Sequence, residues 1–103
     1  MSKDNNNQNQ INIELSEEVA EGVYSNLAII SHNHSEFVVD FIRILPNVPK
    51  AKVKSRIILT PEHAKRLYQA MGDNIKKFEA QFGHIEHKQD PFPPINFTPT
   101  AEA

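Results

Sequence analysis

Four cations fall at every second position of one stretch: Lys50, Lys52, Lys54 and Arg56. Side chains alternate along an extended strand, so these four are expected on one face, about 6.6 Å apart. Such a strip can face a nucleic-acid backbone, where lysine and arginine neutralise phosphates. It can equally protect an edge strand against edge-to-edge pairing. A third reading pairs it with the acidic residues of the same chain or of a second copy. No aromatic residue interleaves the cations, so the stacking platform of a single-strand binder is missing.

The histidines are weaker candidates. His32 and His34 bracket Asn33, and His84 and His87 lie three apart. A metal site would need further ligands; for the first pair the acids nearest in sequence are Glu36 and Asp40. Both pairs read as solvated loop histidines. The chain has no cysteine, which excludes thiolate zinc sites and disulfide scaffolds. Ser25, Ser31, Ser35 and Ser55 stand in no context resembling a nucleophile turn. The glycines (Gly22, Gly72, Gly83) are too far apart for a phosphate loop. Glu17 and Glu18 read as a solvated acidic turn. The expectation is a non-enzymatic protein with no catalytic residue, metal site or cofactor.

These residues must be positioned by strands. Ile11–Leu15 alternates apolar and polar residues, as a half-buried strand does. The acidic segment Ser16–Gly22 follows, with room for a short helical turn beginning at Ser16. Val23–His32 reads as a second strand, with Tyr24, Ala28 and Ile30 on one side. Asn33-His34-Ser35 reads as a turn, because short polar side chains bond their own backbone and asparagine tolerates left-handed φ. Glu36–Leu45 is the third strand, with Phe37, Val39, Phe41 and Leu45 on one face and Val38, Ile42 and Ile44 on the other. Second and third strands joined by a polar turn predict a hairpin. Pro46–Pro49 is a loop, and Lys50–Leu59 the fourth strand, with Val53, Ser55, Ile57 and Leu59 opposite the cations.

The longest element is predicted from Thr60 to Gly83. Thr60 suits the N-cap, Pro61 the first helical position and Glu62 the positive end of the helix dipole. Ala64, Leu67, Tyr68, Met71, Ile75, Phe78 and Phe82 recur on one helical face. Gly83 suits the C-terminal cap. Gly72 weakens the helix by about 1 kcal/mol relative to alanine, and a close packing contact is one reason for a glycine there.

The expected organisation is a disordered polar tail at 1–10, one domain at 11–83 and a flexible proline-containing tail at 84–103. No long apolar run and no leader-like start is visible, so a soluble, cytoplasmic protein without membrane contact is expected. The formal net charge of −2 hides segregation. Residues 1–40 carry seven acids against Lys3 alone, and residues 41–77 carry nine cations against Glu62 and Asp73.

The order predicts an α+β fold: a four-stranded antiparallel meander followed by one long C-terminal helix packed on one face. One helix can cover one face, yet the second and third strands are apolar on both. A second copy is the expected cover, giving a homodimer or higher homo-oligomer; the alternative is that the proline-containing tail or the Ser16–Gly22 segment folds over that face. The partner surface is expected to involve Tyr24, Ala28, Ile30, Val38, Ile42 and Ile44.

The runs Glu36–Phe41, Pro46–Ala51 and Ser55–Lys65, with the helix entry Thr60-Pro61-Glu62-His63, resemble a small bacterial family known only as a domain of unknown function. The similarity covers Ile11 to Gly83 and implies no catalytic residue set. The layout of strands followed by a long helix is more loosely similar to export chaperones of the SecB kind. The expected role is a protein- or peptide-binding module of chaperone or adaptor type. The alternative is a nucleic-acid-binding module using Lys50, Lys52, Lys54 and Arg56.

Overall fold

A computed structural model describes residues 10–87 and 95–97. The expected polar tail, except Gln10, and most of the proline-containing tail lie outside the described residues. Among these, the element order is α1 (Glu17–Ala20), β1 (Leu27–His32), β2 (Phe37–Arg43), β3 (Lys52–Leu59) and α2 (Pro61–Phe82). The chain divides into two compact units between Ala64 and Lys65.

The first unit holds one antiparallel sheet in the order β1-β2-β3. Among the described residues it has three strands where four were expected. Ile11–Leu15 has the alternation of a strand but joins no ladder, and Ile11, Ile13 and Leu15 are 81%, 88% and 71% exposed. Alternation describes which side chains could share a face; a strand also needs a neighbour's backbone groups. The remaining strands are shorter than the apolar runs suggest, because Val23–Asn26 and the ends of the third and fourth runs lie outside the regular strands.

The hairpin between β1 and β2 closes on Asn33. Its Oδ1 accepts from the backbone N–H groups of Ser35 (2.7 Å) and Glu36 (2.9 Å), and its own N–H donates to the Glu36 carbonyl (3.0 Å). The left-handed asparagine is instead Asn47, at φ 64° in the loop between β2 and β3. At the other end of the hairpin, Asn26 extends the ladder with its side chain. Its amide donates to the Ile44 carbonyl at 3.0 Å and its Oδ1 accepts from the Ile44 N–H at 2.8 Å.

The short α1 is capped by Ser16, whose hydroxyl accepts from the Val19 N–H at 3.3 Å. It ends at Gly22, φ 81°, whose N–H donates to the Val19 carbonyl.

The second unit is built on α2, which also contributes its first turn to the sheet unit. Thr60 Oγ1 accepts from the His63 N–H at 3.1 Å, and Gly83 ends the helix at φ 102°. No helix residue is buried. Leu67, Met71, Ile75, Phe78 and Phe82 are each at least 40% exposed. A Cβ at Gly72 would meet nothing within 4 Å, so among the described residues no close contact explains that glycine.

Candidate functional site

Residues paired directly across neighbouring strands point to the same side of a sheet, so the register assigns the faces. One face carries Ala28 and Ile30 with Phe41 and Val39, and then Ser55 and Ile57. The other carries Leu27 and Ile29 with Ile42 and Asp40, and then Val53 and Arg56. The six residues expected to form one partner surface are therefore split. Ala28 and Ile30 lie on the first face, and Val38 and Ile42 on the second. Ile42 is buried, Ile44 is half-buried and Tyr24 is exposed.

The cations are divided by an irregularity of β3. Phe41 pairs with Ser55 but Ile42 pairs with Val53, so the register skips Lys54. Such a bulge shifts the alternation by one. Val53 consequently shares a side with Arg56, and Lys52, opposite Arg43, falls on the face of Ser55 and Ile57. The expected single row of Lys50, Lys52, Lys54 and Arg56 does not form.

The bulge produces two separate arrangements. In one, Arg56 meets Asp40 of the central strand. Its Nε donates to Oδ1 at 2.6 Å and its Nη2 to Oδ2 at 2.8 Å. Asp40 is 2% exposed, whereas the Arg56 side chain is 52% exposed. The two hydrogen bonds from Arg56 hold the Asp40 carboxyl below the usual carboxylate range, against the opposing effect of burial, with the guanidinium charge adding to the lowering. The same hydrogen bonds and the carboxylate charge push the Arg56 guanidinium up. This half-buried, fork-on-fork pair ties β2 to β3 and leaves neither oxygen of Asp40 unbonded.

In the other arrangement, Lys50, Lys52 and Lys54 line a recess of about 210 Å³ with Arg43, Leu45 and Val48. Four cations and no carboxylate line it. Arg43 was not among the expected cations, because it belongs to β2 and reaches the group only through its pairing with Lys52.

The histidines have ordinary neighbours. His32 stacks on Phe37 with ring centroids 5.2 Å apart. His84 Nδ1 lies 3.3 Å from Glu79 Oε2, which also accepts from the Ile85 N–H at 3.0 Å. His84, His87, Glu79 and Glu86 line a shallow recess of about 550 Å³ after α2. Among the described residues, no three of the potential ligands are grouped as a metal ion requires. Among the same residues, no helix is long and apolar enough to cross a membrane.

A three-stranded antiparallel sheet followed by a long amphipathic helix defines a small α+β domain. The chain belongs to the family described as protein of unknown function (DUF3467), whose model matches residues 1–87. That span takes in the unpaired Ile11–Leu15 segment as well as the sheet and the helix. No curated protein and no solved structure matches the chain. The looser likeness in layout to SecB-type export chaperones therefore gains no support.

Proposed function

We propose that the protein is a non-enzymatic homo-oligomeric domain, a dimer in its simplest form, that serves as a protein-binding module. One observation carries this reading: among the described residues, each face of the sheet and the apolar side of α2 keep large apolar side chains exposed. Val39 and Ile42 are the buried apolar residues among those described. On the first face Ile30 and Ile57 are 63% and 43% exposed, and on the second Ile58 and Val53 are 57% and 43% exposed. One helix can shelter one side of a sheet, so a second apolar side remains whichever side is taken. Apolar surface of this extent marks an interaction surface. At about 25 cal/mol per Å² of apolar area, covering it outweighs the cost of association only when the partner surface is also apolar. A second copy meets that condition, and a self-complementary two-fold interface closes without leaving further surface.

The test is chemical unfolding at several protein concentrations. A folded state stabilised by association unfolds at a higher midpoint as concentration rises. The midpoint is expected to rise over a hundredfold concentration range; one that stays fixed contradicts the reading.

The cationic recess favours a second reading, nucleic-acid binding through Arg43, Lys50, Lys52 and Lys54. It replaces the original set by exchanging Arg56, which is committed to Asp40, for Arg43. Binding of this kind would weaken steeply with salt, and a titration with labelled duplex DNA at two salt concentrations measures it.

A further inference from the structure

We infer that Ile11–Leu15 is the missing fourth strand, donated to the free edge of β3 in a second copy of the chain. The inference rests on the homo-oligomeric reading and specifies how the two copies join.

Three observations converge on it. The segment has strand alternation, Ile11, Ile13 and Leu15 against Asn12 and Glu14, yet among the described residues it is bonded into no sheet. Its three apolar side chains are exposed to 71–88%, an arrangement that burial on a sheet would relieve. Among the described residues, the sheet order β1-β2-β3 leaves β3 with a free edge. Backbone N–H and C=O groups on such an edge accept an added strand.

Charge selects β3 over β1 and rejects the wrong pairing. The segment from Ile11 to Glu21 carries Glu14, Glu17, Glu18 and Glu21 and no cation. The β3 side carries Lys50, Lys52 and Lys54, with Arg43 in the same recess and no carboxylate lining it. Two β3 edges brought together would face cation with cation. A donated segment instead brings acids to cations, with α1 following it over the recess. The β1 strand contains no charged residue of fixed sign, so it offers no such discrimination. If each copy donates to the other, the exchange closes as a two-fold dimer.

The experiment uses the full chain and measures the dimer dissociation constant by sedimentation. Ile13→Pro is made together with Asn12→Pro, because an added edge strand turns the N–H groups of alternate residues to its neighbour, so the pair removes a ladder donor in either register. Because Ile13 is 88% exposed in one chain, the sheet's own fold should survive, and far-ultraviolet circular dichroism at high concentration checks that. The expected result is a dissociation constant raised about tenfold or more, in proportion to the lost edge pairing. Glu14→Lys should weaken the dimer several-fold, and adding Lys52→Glu with Lys54→Glu should restore most of that loss. A wild-type dimer that is indifferent to Asn12→Pro with Ile13→Pro and to Glu14→Lys overturns the strand exchange and leaves the oligomer standing. A wild-type monomer at micromolar concentration overturns both. Salt-dependent binding of duplex DNA by the intact dimer, abolished by Lys52→Glu with Lys54→Glu, would show the β3 side open to nucleic acid and overturn the exchange as well.

Discussion

Asp40 sits among Val38, Val39, Phe41 and Ile42 on the central strand, where burial works against the ionised carboxylate and a cation offsets it. Arg56 does so through both oxygens. Because the folded carboxyl is held below its usual range, its contribution to stability is complete above the unfolded value of about 3.9 and is lost as pH falls through the folded value. Asp40→Asn should therefore flatten the acid side of the stability–pH curve below about pH 4, as read from urea midpoints between pH 7 and pH 3. Arg56→Met should destabilise more at pH 7 than Asp40→Asn, since it leaves a buried charge without its partner, whereas Asp40→Asn leaves a half-exposed guanidinium that water can solvate. A carboxylate within an apolar strand was the one sign in the sequence that such a cation had to exist. Which cation could not be read, because the pair spans 16 positions and depends on a register that alternation alone does not fix.

At the scale of elements, the parts governed by local chemistry were legible. The Asn33 turn, the Ser16 start of α1 and the span of α2 from Thr60 to Gly83 all follow from side chains that bond backbone groups within a few residues. Replacing Thr60 by alanine should destabilise the fold by about 1 kcal/mol through loss of the cap to His63, measured by thermal or urea unfolding. Gly72→Ala should stabilise α2 by about 0.5–1 kcal/mol, since nothing lies within 4 Å of an added Cβ. A loss of stability there would instead place a partner chain against Gly72. What was not legible depends on contacts between elements. The bulge at Lys54 has no signature in a stretch of alternating cations, and it sends Arg56 to the face opposite Lys52. Arg43 joins the cationic recess for the same reason. Ile11–Leu15 reads as a strand because its pattern is that of one, but the pattern does not specify which sheet receives it.

For the whole molecule, charge segregation and apolar excess point the same way. An acidic first part and a basic middle, together with a sheet that is apolar on both faces, suit a chain that completes itself with another copy of the same sequence. Residues 11–87 would then act as half of a functional unit, with α2 and the sheet faces supplying the surface between copies. The most direct measurement is the mass of the full chain in solution at micromolar concentration and physiological salt, by light scattering on the eluting peak. Twice the 11.7 kDa of one chain, or a larger whole multiple, is the expected value. A single sharp peak at 11.7 kDa that persists as the concentration rises would contradict it.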